Sequence, residues 1–180
     1  MRRRNGVQAM TLSARRPSQV EPLSFAATAE EHLDDVYGYL VYLTRDRSLA
    51  EDLAADTFEK ALKQWRRFDP RRASARTWLC QIARTTALDW FRAEERRRRR
   101  EERAAAPESV EAAFVEALAP ELEAGLAALS AGEREVIALR VVLELDGDEA
   151  ARVLGISPTA VSTRLSRALK KLEEKVSVHV

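Results

Sequence analysis

An all-α protein is predicted, built as two small helical domains joined by a flexible linker. The chain of 180 residues is 46% hydrophobic but only 6% aromatic, rich in Ala, Leu, Glu and Arg, with six glycines. That composition suits helices. Its apolar residues recur at steps of three and four, the period of a helix buried on one side. Between Pro107 and Pro120 this patterning weakens into a stretch of Ala and Glu. The expected layout is therefore a disordered tail over 1–24, a first helical domain over 25–100, a linker over 101–120 and a second domain over 121–176. No internal repeat is visible.

The tail holds Arg, Ser, Gln, Pro17 and Pro22 without periodicity. A first helix is expected from about Ala29 to Thr44, with Leu33, Val36, Tyr37, Leu40 and Leu43 on its buried side. A short break at Arg45 to Ser48 leads to a second helix. Ser48 with Glu51 has capping-box spacing there, and Leu49, Leu53, Phe58, Leu62 and Trp65 form the stripe. A basic loop from Arg66 to Ala73, fixed by Pro70, precedes a long third helix from about Ser74.

The third helix has no Gly or Pro as far as Arg103. Trp78, Leu79, Ile82, Ala83, Thr86 and Trp90 make one apolar stripe, and Cys80 reads as a small packing residue beside it. The other side carries Arg76, Gln81, Arg84, Thr85, Leu88 and Arg92, then Arg96 to Arg100. An arginine run is commonly a solvated face. Here it continues an amphipathic helix set among aromatics, which suits phosphate contact.

Net charge is only +1, but its distribution is uneven. Thr28 to Leu62 holds nine acids and three bases, whereas Lys63 to Arg103 holds fourteen bases and six acids. Such a division predicts different partners for the two surfaces.

In the second domain, Ser130 and Glu133 have capping-box spacing, followed by Val136, Ile137, Leu139, Arg140 and Leu143 at helical steps. Gly147 separates them from two further helices, about 148–154 and 158–175. Ala151 is small where two helices must cross, Gly155 stands where a left-handed turn is needed, and Ile156 and Val161 are apolar plugs. Ser157-Pro158 supplies a cap and a first-turn proline. Ala151, Gly155 and Val161 lie four and then six residues apart, the spacing of helix-turn-helix modules, although helical hairpins that bind nothing can share it. The last helix would expose Thr159, Ser162, Thr163, Ser166 and Arg167, with Arg164, Lys170 and Lys171 nearby. Hydroxyls and cations in that arrangement suit a major groove.

Both halves together resemble a bacterial RNA polymerase sigma factor of the extracytoplasmic-function (ECF) group. The first resembles that family's region 2, through AEDLAADTFEKALKQWRRF and RTWLCQIARTTALDWFR. The second resembles region 4, through LSAGEREVIALRVV and the helix-turn-helix. The resemblance implies core RNA polymerase, through its β′ and β subunits, and promoter DNA as partners, with an anti-sigma protein as inhibitor. It implies that Asp52, Leu53, Asp56, Thr57 and Phe58 bind a coiled coil of β′. The loop from Phe68 to Ala75, with Arg71 and Arg72, would hold a flipped −10 base, whose unstacking is offset by stacking and edge contacts. Arg76, Arg84, Thr85, Leu88 and Arg92 would contact the melted −10 strand. Thr159, Ser162, Thr163, Arg164, Ser166, Arg167 and Lys170 would bind the −35 duplex. Two positions depart from the family. Thr85 stands where Asn is common, and Thr159-Ala160 where Gly-Thr is common, so the promoter sequence read can differ.

LSAGEREVIALRV with a helix-turn-helix also resembles LuxR-type regulators, which act without being polymerase subunits. That reading requires an α/β receiver upstream, whereas the first hundred residues read as helices. No enzyme is expected. His32 and His179 lie at opposite ends, and no nucleophile or metal constellation assembles, so neither catalytic residue nor cofactor is predicted. Cys80 is the only cysteine, which excludes an intrachain disulfide and a cysteine-rich zinc site. No apolar run reaches membrane-spanning length and Met1 to Arg4 precedes no apolar segment, so a cytoplasmic location without membrane insertion is expected.

Overall fold

The computed structural model describes residues 24–102 and 125–177, and all regular structure among them is helical. The expected tail and most of the expected linker lie outside the described residues.

The first helix is two. α1 (Phe25–Glu31) and α2 (Leu33–Thr44) meet at His32, whose φ of −113° and ψ of 13° leave the helical region. The bend lets Phe25 set its ring edge on Trp65, with centroids 5.5 Å apart. Tertiary packing thus divides a helix that periodicity alone makes continuous.

α3 (Arg47–Gln64) begins one residue before Ser48, because Asp46 is its cap and accepts the Leu49 amide at 3.0 Å. Asp and Ser cap about equally well, so the upstream residue decides the start. The buried face of α3 also differs from the expected leucine stripe. It is Ala50, Leu53, Ala54, Thr57 and Ala61, with Leu49 and Phe58 of the expected stripe packed against it, while Leu62 is 57% exposed. Alanines bring α3 close to α2 and α4, and close approach turns the bulkier Leu62 outward.

A 3₁₀ turn (Trp65–Arg67) and a loop lead to α4 (Ala75–Glu102), whose first turn is capped by the Ser74 hydroxyl accepting the Thr77 amide at 3.2 Å. α4 buries Thr77, Leu79, Cys80, Ala83, Thr86 and Ala87. Trp90, expected on this side, is 36% exposed beside Phe91. Glu101 and Glu102, expected to open the linker, are the last residues of α4. Val36, Tyr39, Leu40, Leu53 and Leu79 fill the space among α2, α3 and α4, and full burial of each leucine contributes about 1.5–3 kcal/mol.

In the second unit α5 (Ala131–Ile137) has the expected capping box between Ser130 and Glu133. It runs into a π turn (Ala138–Val142), closed by the Leu143 amide on the Ala138 carbonyl at 2.9 Å. The wider turn buries Ala138 and Leu139 and leaves Val141 and Val142 exposed, a break that helical spacing does not announce. α6 (Gly147–Leu154) is capped by Asp146, in a second capping box with Glu149. Gly155 ends α6 at φ 68°, where a side chain would strain the backbone. α7 (Pro158–Ser177) follows, with the Ser157 hydroxyl accepting the Ala160 amide at 3.2 Å. Ala151 and Val161 are buried and Ile156 is half-buried, as the helix-turn-helix spacing requires.

The two units pack against each other, α5 and its π turn on α2, and α6 on α4. A flexible connection predicted no such contact.

Candidate polymerase and nucleic-acid interfaces

The acidic surface is the outer face of α3. Asp52 and Asp56 are exposed one turn apart, with Glu59 beyond them. Glu59 is held below the usual carboxylate range by the hydrogen bond and charge of Lys63. Leu53 and Thr57, grouped with these acids in the sequence, point the other way. They are 2% and 0% exposed, and the Thr57 hydroxyl donates to the Leu53 carbonyl at 2.6 Å. They seat α3 in the core rather than offer it to a partner. Phe58 is half-buried.

Four aromatic rings gather where the basic loop meets α4. Trp65 stacks on Phe68 with centroids 5.1 Å apart and planes 18° apart, and Trp78 lies 5.1 Å from Phe68 and 5.9 Å from Trp65. Phe25 closes the group. The Asp69 carboxylate accepts the Arg71 amide at 3.0 Å, and the Asp69 carbonyl accepts the Arg72 amide at 3.0 Å. These bonds hold the loop in a turn with both arginine side chains exposed. Sequence spacing placed Trp65, Phe68 and Trp78 in three separate elements. Their concentration in a chain with few aromatics was the available signal.

Along α4 the expected DNA-facing residues divide. Thr85 and Arg92 are exposed and Leu88 is half-buried. Thr85 donates to the Gln81 carbonyl at 2.9 Å, and Arg92 pairs with Asp89 at 3.2 Å. The arginine run is partly neutralised on its own helix, Arg97 by Glu94 and Glu101, and Arg99 by Glu95. Arg96 has no ion pair among the described residues.

The first half of α4 is engaged differently. Arg76 lies 3.7 Å from Asp35 of α2. Arg84 donates to Glu135 of α5 at 2.7 Å, and the Tyr39 hydroxyl donates to the same carboxylate oxygen at 2.9 Å. Glu135 is 5% exposed and Tyr39 fully buried. Burial, then the Glu135 charge, raises the Tyr39 phenol well above its ordinary value. A carboxylate so buried depends on these donors, since removing one side of a buried pair costs about 3–5 kcal/mol. Ser74 and Thr77 donate to Glu149 of α6 at 3.0 and 2.9 Å, and Gln81 donates to the Arg152 carbonyl at 3.1 Å. Sequence reasoning missed Glu135 and Glu149, because an acid in a helical pattern reads as surface until its partner is known. Cys80 lies under this half of α4, where burial pushes its thiol up to about 12.

On α7, Thr159, Ser162, Thr163, Ser166, Arg167 and Lys170 are all exposed at helical steps, which puts them on one side. Ser162 and Thr163 donate to the Pro158 and Thr159 carbonyls at 3.2 and 2.9 Å, so their oxygens remain as acceptors. Arg164 is half-buried against Gly132, where an added Cβ would stand 3.4 Å from its guanidinium. Lys171 is held by Glu133, whose carboxyl that bond and the Ser130 bonds lower to about 2.

Comparison with known proteins decides what these surfaces belong to. Residues 28–98 match the family model of Sigma-70 region 2, and residues 120–172 that of Sigma-70, region 4. The ECF RNA polymerase sigma factor SigC of Mycobacterium tuberculosis is 34% identical over 167 residues, covering 90% of this chain and 86% of the relative. SigX of Bacillus subtilis, also an ECF RNA polymerase sigma factor, is 28% identical over 165 residues, covering 86% and 84%. The chain belongs to the ECF RNA polymerase sigma factors. Among solved structures it resembles the sigma factor RpoE in complex with the anti-sigma factor NepR from Bartonella quintana, at a TM-score of 0.68 and 26% identity over 86% of this chain and 97% of that one. It also resembles CnrH in complex with the cytosolic domain of CnrY, at 0.63 and 27%, over 87% and 89%.

As a sigma factor it directs promoter-specific initiation by RNA polymerase. The region 2 match spans α2, α3 and most of α4, and the region 4 match spans α5, α6 and most of α7. Among the described residues no helix is long and apolar enough to cross a membrane.

Proposed function

We propose that α3 binds core polymerase, that the Phe68 to Ala75 loop and α4 capture the melted −10 strand, and that α7 reads the −35 element as duplex. The observation that carries this division is charge placement. Asp52 and Asp56 stand exposed on α3, whereas cations and free hydroxyl oxygens line one side of α7. An acidic face suits a basic helix of β′ and repels DNA. The α7 face suits base edges and phosphates.

In this scheme Asp52 and Asp56 make the polymerase contact, with Phe58 at its edge and Leu53 and Thr57 bracing α3 from beneath. Arg71, Arg72 and Arg92 anchor the strand's phosphates beside the aromatic group around Phe68. Arg76, Arg84, Thr85 and Leu88 line its path. Thr85 spends its proton on its own helix and so presents an acceptor to a base, where Asn would present donors as well. The −10 sequence preferred should shift accordingly. Ser162 and Ser166 face the −35 groove floor, Thr159, Thr163, Arg164 and Arg167 flank it, and Lys170 holds a phosphate. The protein performs no chemistry, acts in the cytoplasm and is held inactive by an anti-sigma protein.

Transcription with purified core polymerase on a library of host genomic fragments tests the reading. Adding the chain should yield transcripts whose start sites share one upstream pair of motifs. Unchanged start sites would refute it.

A further inference from the structure

We propose that the cleft between the start of α5 and the first half of α7 seats one backbone phosphate of the −35 duplex, so that α5 as well as α7 belongs to the DNA footprint. The inference rests on the reading of α7 as the duplex-reading helix and adds a contact outside its base-facing side. The cleft measures about 700 Å³, and Ser130, Glu133, Ser157, Thr159, Arg164 and Arg167 line it. Among the described residues neither Arg164 nor Arg167 makes an ion pair or a side-chain hydrogen bond. That sets them apart from Arg84, Arg97 and Arg99 of α4, each taken up by a carboxylate. The acid in the cleft is already engaged. Glu133 accepts Lys171 at 2.5 Å on one oxygen, and the Ser130 amide and hydroxyl, each at 2.9 Å, on the other. Its charge is offset within the protein, and the two arginines leave the cleft positive.

Gly132 fixes where Arg164 stands. A Cβ at 132 would lie 3.4 Å from a guanidinium nitrogen of Arg164 and 3.7 Å from its central carbon. The guanidinium thus fills the notch left by the missing side chain, and any group extending beyond Cβ takes that space. Held there half-buried, Arg164 has less side-chain freedom to lose when an anion binds. Its planar fork, the second guanidinium at Arg167 and the hydroxyls at the α7 N-terminus suit phosphate oxygens. Thr159 and Arg167 belong both to the cleft and to the exposed side of α7. A duplex lying on that side brings its backbone to the mouth of the cleft, which favours a DNA phosphate over a free one. Such a contact carries no sequence information and instead sets the register of α7 in the groove.

The test is the salt dependence of binding between the full chain and a random-sequence duplex, which reports the phosphates neutralised whatever the sequence. Arg164→Gln should lower the slope of log affinity against log salt by about one, and Arg164→Lys should keep it. Gly132→Leu leaves every charge in place, yet should lower the slope as much as Arg164→Gln does. The two changes together should lower it no further, because they remove the same contact. Inorganic phosphate added at constant ionic strength should not compete with the duplex. Thermal unfolding confirms that each variant is folded. A slope unchanged by Arg164→Gln would overturn the seat. A slope lowered by Arg164→Gln but not by Gly132→Leu would put the contact of Arg164 outside the cleft and overturn it equally. Competition by inorganic phosphate would make the cleft a free-anion site and overturn the duplex assignment. If the slopes behave as expected but the chain fails to direct transcription with core polymerase, the functional reading falls and the phosphate seat stands.

Discussion

Two helices of this protein carry hydroxyls and guanidiniums that the proposed function assigns to nucleic acid, and they hold them in opposite states. On α7 the hydroxyls of Ser162 and Thr163 bond only to their own helix, and the face is open. On α4 the hydroxyls of Ser74 and Thr77 and the guanidinium of Arg84 are bonded to carboxylates from the other unit. Composition does not distinguish the two faces. What differs is whether an internal acceptor has reached them. A duplex reader meets its target whenever DNA is near, whereas a strand reader has no target until polymerase melts one. Under the proposed roles, the difference in exposure follows that difference in need.

Polymerase attachment is where the comparison breaks most severely. Asp56→Arg replaces an attractive charge by a repulsive one on an exposed face. It should cost about 2–5 kcal/mol in core binding, seen as failure to co-elute with core polymerase. Neither DNA face then functions at a promoter, although both remain intact. Folding should be unaffected, whereas Leu53→Ala, one position after Asp52 but buried, should cost a similar 2–5 kcal/mol of stability in a denaturant titration.

Replacing Ser162 and Ser166 by Ala sharpens the comparison. The preferred −35 sequence should change by about 1–3 kcal/mol per lost base contact, with the −10 preference untouched. Lys170→Ala should instead weaken every −35 sequence about equally and lower the salt slope by about one. Selection from a promoter library, repeated at two salt concentrations, separates these outcomes.

Smaller effects come from the caps that hold the α4 cover. Asp146→Ala removes the acceptor for the Glu149 amide and should cost about 1 kcal/mol in thermal unfolding. The Glu133 carboxyl, lowered to about 2, binds its proton less readily folded than unfolded. Its contribution to stability is therefore full above the ordinary carboxylate value and lost as pH falls toward 2. The stability gap between the chain and Glu133→Gln should close between pH 5 and pH 2.

What was legible in the sequence was what local chemistry decides. The turn at Gly155, the cap at Ser157 and the plugs at Ile156 and Val161 stand where their residue types require, and so does the exposed side of α7. What was not legible depends on partners distant in the chain. On α3, Leu49, Leu53 and Phe58 stayed on the inner side as expected, but Ala50, Ala54 and Ala61 joined them where two other helices approach closely, which put Leu62 outside. The break at His32 serves a ring contact with Trp65. Glu135 meets Tyr39 across 96 residues and Arg84 across 51, and no periodicity encodes such a meeting. The helices could be read singly, whereas the surface between the units could not.

The central claim is that polymerase turns this chain from a poor promoter binder into a strand-capturing one. Gel shift and permanganate footprinting on a promoter, with and without core polymerase, test it directly. The chain alone should bind duplex weakly, since α7 offers few cations and α4 is covered. With core present, binding should become tight, depend on the −10 sequence and render its thymines permanganate-reactive. Tight sequence-specific binding by the chain alone, unchanged by core, would contradict the account.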